Sequence, residues 1–305
     1  MKSRSFNEFD AFADSVRDVD ATMMLQNPER RIWNINQVTI DGFDLQLGEV
    51  GSGNIVEGQA WTNGTLLYLP LSQGIEYRAN GIGLGPNEFM VLEPNREFCI
   101  STKYAHDWCS VFVPNDQFLF NTRRPDPVWH ANRQAVASFH YIVSEIMTAS
   151  ANSSQFQMSP AAKIAAAEVK KVTSCILGVP QTRSREQLGR PTIPREDVIQ
   201  SCRALIDTRA DQPLQVGQLA AAASVSERTL RQVFYDYYGI GPARYLQLKQ
   251  LNDAYRALRM ADPEATQVGN VLTALGIWEF GRFSLRYRQL FGETPSMTLR
   301  RQHKT

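Results

Sequence analysis

Two clusters of arginine, glutamine and glutamate have types and spacing suited to hydrogen-bonding chemistry. Glu227, Arg228, Arg231 and Gln232 recur at steps of three and four, as do Glu279, Arg282 and Arg286. That spacing gathers side chains on one face of a helix. A guanidinium can fork onto O6 and N7 of guanine, and a side-chain amide suits adenine. The chemistry on offer is recognition of base edges, with Ser226, Trp278 and Lys249 beside the clusters. Arg244 and Lys249 suit phosphate oxygens, which position a protein on DNA without reading sequence.

The surrounding residues must hold each cluster on the second helix of a helix-turn-helix. In the first unit, residues 215–238, Leu219 and Ala220 begin an apolar face that Val225, Leu230 and Phe234 continue. Ser226 is a natural N-cap, and Gly239 ends the helix that starts at Glu227. The second unit repeats the plan: Val268, Val271 and Leu272 form a first helix, Gly276 makes the turn, and Phe280, Phe283 and Tyr287 follow at core spacing. Both units end alike, in Tyr238-Gly239-Ile240-Gly241-Pro242 and Phe291-Gly292-Glu293-Thr294-Pro295. A helix over residues 242–260 joins them, with Tyr245, Leu248, Leu251, Tyr255 and Leu258 inward. Two recognition helices on one such connector would reach successive major-groove segments about 34 Å apart.

This duplication resembles the DNA-binding domain of the AraC/XylS family of bacterial regulators. The resemblance rests on Leu219-Ala220, Ser226, Thr229-Leu230, Phe234, Gly239, Pro242 and Tyr245-Leu246 in the first half. In the second half it rests on Gly276, Phe283, Tyr287, Phe291-Gly292 and Pro295. The stretch 276–283 is similar to regulators of ethanolamine-utilisation type. The resemblance implies a transcription regulator of the activator class, and it implies that the region before the DNA-binding domain is a cupin-like barrel holding a small-molecule effector.

The residues of that region agree with a β-domain. From about Ile32 to Val113 short apolar runs are broken at 40–42, 50–54 and 61–65, and Asn63-Gly64 is a two-residue hairpin signal. Such a pattern points to an antiparallel sandwich or barrel. Trp33, Trp61, Tyr68, Tyr77, Phe89 and Trp108 are mostly core, with one or two expected to face a cavity. Arg30, Arg31, Arg78 and Arg96, with Trp33 and Trp108, are the candidate effector contacts; the arginines, with Arg123 and Arg124, would suit an anionic or nucleotide-like effector. An amino-alcohol or a sugar, or another small metabolite, is equally open. Of the four histidines, His106, His130, His140 and His303, only His106 falls in the barrel, so no metal site is expected. His106 is expected at the surface or a strand end. No cofactor and no catalytic motif is expected. The alternative is a cupin-type small-molecule-binding or catalytic protein with an accessory helical domain; a filled barrel would favour an architectural nucleic-acid protein.

From 127 to 178 the pattern becomes helical, with Trp129, Val136, Phe139, Val143 and Ile146 on one face, then Ile164, Val172 and Ile176 after Ser159-Pro160. These helices could pack on the barrel or form a homodimer seam. Residues 179–194 have a linker's proline and glycine content. Charge follows the same division. Residues 1–194 carry 17 basic and 20 acidic side chains, whereas 195–305 carry 15 basic and 11 acidic, a nucleic-acid footprint confined to one end. Cys99, Cys109, Cys175 and Cys202 form no metal pattern and are expected as reduced, buried thiols. There is neither a bilayer-length apolar run nor a signal-peptide pattern, so a cytoplasmic protein without a membrane partner is expected. The expected class is α+β: a barrel domain over 1–126, a helical dimerisation or linker region over 127–194, and an all-α tandem helix-turn-helix domain over 195–305. Its expected partners are double-stranded DNA, an effector, a second copy and RNA polymerase.

Overall fold

The computed structural model describes residues 2–85, 87–116, 128–153, 155–177, 194–209 and 212–301. Arg123, Arg124, His303 and most of the 179–194 linker lie outside the described residues, as does the expected boundary at 126. The chain divides into two units, Met1–Met23 with Glu29–Leu188 and Met24–Pro28 with Gly189–Thr305.

Among the described residues ten strands run in chain order: β1 Lys2–Phe6, β2 Val19–Ile40, β3 Phe43–Ala60, β4 Gly64–Pro70, β5 Tyr77–Ala79, β6 Ile82–Leu84, β7 Glu88–Leu92, β8 Glu97–Thr102, β9 His106–Pro114 and β10 Val128–His130. They form a nearly closed antiparallel barrel in the order β10-β7-β4-β9-β3-β8-β5-β6, with β2 beside β3 and β1 beside β2. Among the described residues the same unit carries the α-helices α1 Phe9–Ala13, α2 Arg133–Asn152 and α3 Pro160–Leu177.

Successive side chains on a strand point to opposite faces, and here both faces are buried. On β9, Cys109, Val111 and Val113 join a core with Val136, Phe139, Val143 and Ile146 of α2 and Val169 and Ile176 of α3. The alternate residues His106, Trp108 and Ser110 face a cavity inside the barrel. The α2–α3 pair therefore covers the outside of the sheet. Asn132 caps α2 by accepting from the Ala135 amide at 2.7 Å.

Several sequence expectations change here. Trp129 lies on β10 rather than on the helix, and Ile164 is 68% exposed on α3. The run 50–54 is no turn but the middle of β3. Its glycines mark close backbone approach, since a Cβ on Gly53 would fall 2.3 Å from the Lys103 carbonyl oxygen. Asn63-Gly64 does not close a two-residue hairpin, because β9 lies between β3 and β4 and pairs with both. Asp41-Gly42 does reverse the chain between β2 and β3, with φ of 47° and 86°. His106 is the first residue of β9, as a strand-end residue should be, but it is only 2% exposed. Cys99, Cys109 and Cys202 are buried and Cys175 is exposed.

Unit 2 contains α4 Arg195–Thr208, α5 Val216–Ala222, α6 Glu227–Tyr238, α7 Pro242–Met260, α8 Val268–Ala274, α9 Phe280–Phe291 and α10 Pro295–Arg300. Its core gathers Leu219, Leu230, Phe234, Tyr245, Leu248, Leu251, Tyr255, Leu258, Leu272, Phe283 and Tyr287, all buried. The two tight turns are built alike. Ser224 and Gly276 occupy the left-handed region at φ of 54° and 69°. Next to them, Val225 donates to Ala220 O at 3.0 Å and Ile277 donates to Leu272 O at 2.9 Å.

Gly276→Ala should cost unit 2 at least about 1 kcal/mol, because a Cβ is strained at positive φ. Ser224→Gly, which relieves the same strain, should stay within about 0.5 kcal/mol of the parent. Urea denaturation of the full chain measures both, and an equal cost for the two would contradict the equivalence of the turns.

Two buried groups in unit 1 titrate in opposite senses. Burial, then the Asp44 charge, raises Asp18 to about 7 against the pull of Arg17. Burial lowers His106 to about 4, against hydrogen bonds to Tyr104 and Ser52 carbonyls. Between pH 6.5 and about 4 the unfolded chain takes up a proton that native His106 refuses, so acid destabilises. Between about 7 and 3.8 native Asp18 holds a proton the unfolded chain has released, so acid stabilises. The two effects offset. Asp18→Asn should therefore raise stability above pH 7, by on the order of 3 kcal/mol. It should also make the unfolding midpoint fall more steeply than the parent's as pH drops from 6.5 to about 4. The tryptophan fluorescence of unit 1 follows this transition, and a shallower fall in the variant would refute the offset.

Candidate functional site

The first recognition helix, α6, is set by its cap. Ser226 Oγ accepts from the Thr229 amide at 3.1 Å. Leu230, Val233, Phe234, Tyr237 and Tyr238 are buried on one face, which leaves Glu227, Arg228, Arg231 and Gln232 exposed on the other. Arg231 pairs with Glu227 at 2.5 Å, and Gln232 donates to Asp236 at 2.8 Å. Exposed pairs one helical turn apart are worth only about 0.3–0.5 kcal/mol, so both side chains can exchange these partners for nucleic-acid acceptors at small cost. Arg228 makes no ion pair or hydrogen bond among the described residues.

The second recognition helix, α9, buries Phe283, Tyr287 and Leu290. Phe280, expected in the core, is 41% exposed because it is the first residue of the helix. Glu279 provides no side-chain cap, so this helix starts without the device that fixes α6. Glu279 pairs with Arg282 at 3.5 Å. Trp278, just ahead of the helix, is 69% exposed. Arg286 is exposed and unpaired among the described residues.

The two halves of unit 2 meet electrostatically at α7. Burial, then the positive charge of Arg286, holds the Arg244 guanidinium below its ordinary pKa. The charges of two cations from different halves thus oppose one another, an arrangement that an anionic phosphate would relieve. Lys249, by contrast, is committed to Asp253 at 3.1 Å.

The six residues expected to touch an effector do not converge. Arg30 and Arg31 are exposed. Arg78 pairs with Glu76, and Arg96 with Glu93 at 3.8 Å. Trp33 is core: its indole donates to Ser52 Oγ at 3.0 Å and packs edge-on against Phe9. Trp108 alone of the six lines the barrel cavity, together with Tyr68, which stacks on it at 6.0 Å. Asn54, His106 and Ser110 also line it. Sequence reasoning passed over Asn54 and Ser110. The signal for Ser110 was a polar residue sharing the period of His106 and Trp108 between apolar neighbours.

Residues 219–301 match a protein-family model described as a helix-turn-helix domain. A probable thc operon regulatory protein of Rhodococcus erythropolis is 32% identical over 118 residues, 39% of this chain and 35% of its own length. The XylDLEGF operon transcriptional activator 3 of Pseudomonas putida is 31% identical over 140 residues, 43% of this chain and 41% of its own length. The chain thus spans well under half the length of these curated relatives. A crystal structure of the AraC-like transcriptional activator CuxR is 11% identical, covers 90% of this chain and 100% of its own, and has a TM-score of 0.45. Residues 219–301, which carry the paired turns, caps and glycine–proline breaks, thus match a helix-turn-helix domain and are similar to the same part of these operon regulators.

Proposed function

We propose that the chain is a sequence-specific DNA-binding transcription regulator, of the activator class, controlled by a small molecule bound in the barrel unit. The observation that carries the reading is the duplicated recognition face: two equivalent turns present Arg228 and Arg286 without an acidic partner among the described residues. In this reading Glu227, Arg231, Gln232, Trp278, Glu279 and Arg282 complete the base-reading surface, and Arg244 and Lys249 meet phosphates. Residues 1–126 take the effector, 127–194 serve dimerisation and linkage, and 195–305 read DNA. The chain acts in the cytoplasm by binding, as a homodimer that engages RNA polymerase, and performs no catalysis. No described helix is long and apolar enough to cross a membrane.

Fluorescence anisotropy with DNA from upstream of the protein's own gene, against random DNA, tests this. The parent should prefer the upstream fragment, with affinity falling steeply as salt rises. Arg228→Ala should lose about 1–3 kcal/mol of discrimination, whereas Arg244→Ala should weaken all sequences alike and lower the salt slope by about 1. Equal binding of both DNAs at every salt concentration refutes the reading.

A further inference from the structure

The two recognition helices bury the same kind of face but do not show the same chemistry outside. Leu230 and Phe234 of α6 are buried, as are Phe283 and Tyr287 of α9. Gly239 and Gly292 end the two helices in the left-handed region, at φ of 73° and 79°. One interval in sequence relates all three pairs. The same interval sets Leu285 where α6 has Gln232, and Gly281 where α6 has Arg228. All four residues are exposed. Two hydrogen-bonding positions of the first helix are thus a leucine and a glycine in the second.

A single exposed leucine is ordinary on a protein surface; its register on this face is what gives it meaning. Leu285 is 62% exposed. Side chains on a helix lean toward its N-terminus, over the residue four positions earlier. For Leu285 that residue is Gly281. A Cβ on Gly281 would meet nothing within 4 Å, and its φ is not positive. Neither packing among the described residues nor backbone conformation therefore calls for glycine there. Its effect is to leave a low apolar notch beside the isobutyl group. Arg282 and Arg288, three residues to either side of Leu285, are exposed.

The major-groove edges of the bases carry donors and acceptors, and thymine adds an apolar group, its C5 methyl. An isobutyl group neither donates nor accepts. Set against guanine, adenine or cytosine, it strips water from a polar edge with nothing in return. Set against thymine, it covers the methyl, and burying one such carbon is worth about fourfold in affinity.

We infer that Leu285 is a thymine reader: its side chain, beside the notch left by Gly281, packs on the C5 methyl of one thymine in the segment bound by α9. The position that offers an amide in the first unit offers a methyl contact in the second. The inference rests on the reading of the chain as a sequence-specific DNA-binding regulator.

For the test, the full chain selects its sites from a pool of random duplexes. Fluorescence anisotropy then compares the selected site with copies in which single thymines are replaced by deoxyuridine, a change that removes only the C5 methyl. One thymine should show a loss of about three- to fivefold. Leu285→Ala should abolish that loss, by weakening the thymine duplex to the level of the uracil one. Gln232→Ala should keep it in full and lose discrimination about one helical turn away. Leu285 is exposed and alanine is a strong helix former, so the urea midpoint of Leu285→Ala should match the parent's. Gly281→Ala should weaken the selected site several-fold without lowering the urea midpoint, because the added methyl fills the notch and touches nothing else; unaltered affinity would contradict the close approach. A uracil effect that persists in Leu285→Ala, or none at any thymine, overturns the inference and leaves the regulator reading standing. So does a loss of transcription in Leu285→Ala with unchanged DNA affinity, which would assign the leucine to a protein partner. If no sequence is enriched from the pool, the regulator reading falls and this inference falls with it.

Discussion

Between α5 and α6 the chain must reverse within a few residues and release a helix pointing outward. A tight reversal of this kind needs one residue at positive φ. Ser224 supplies it in the first unit and Gly276 in the second. The same backbone bond, from the following residue back across five positions, then closes each turn. The recognition surface depends on this constraint. It sets where α6 and α9 begin, and helical periodicity then decides which side chains are buried. Leu230 and Phe234 enter the core, and the arginines have no face left but the outer one. The two units do not use it equally. Ser226 fixes the start of α6 by a side-chain bond, whereas α9 begins at Phe280 with no such cap. The first helix is the better anchored of the two.

The barrel unit obeys a different constraint with a similar consequence. A strand buried on both faces offers its alternate side chains to two layers. On β9 the odd-numbered residues Cys109, Val111 and Val113 meet α2 and α3. The even-numbered His106, Trp108 and Ser110 meet the cavity. The helical layer cannot be removed without exposing the first set, and the cavity cannot be filled without changing the second. Cys109 illustrates the separation: burial pushes its thiol up to about 12, which makes it an inert part of the wall.

Legibility differed between the units for physical reasons. The helical unit was readable because caps, glycine stops and N1 prolines are local signals, and Ser226, Gly239, Pro242, Gly276 and Pro295 each sit where they are needed. Ser224 was not legible, since a serine carries no mark of positive φ. The barrel was readable as a class but not in detail. Gly51 and Gly53 looked like turn residues, yet they admit neighbouring strands, and pairing between distant strands leaves no local trace. The candidate effector arginines were chosen for charge next to strand ends. Most are exposed or held by Glu76 and Glu93, and the polar lining came instead from Asn54 and Ser110, whose position depends on register.

The polar groups of the two units meet water in different surroundings. Arg228 and Arg286 lack partners but are exposed, so water satisfies them and an empty recognition face costs the fold little. Tyr68 and Asn54 line a cavity with room for water, which can meet their polar atoms. A group that water can satisfy says only that a surface is available.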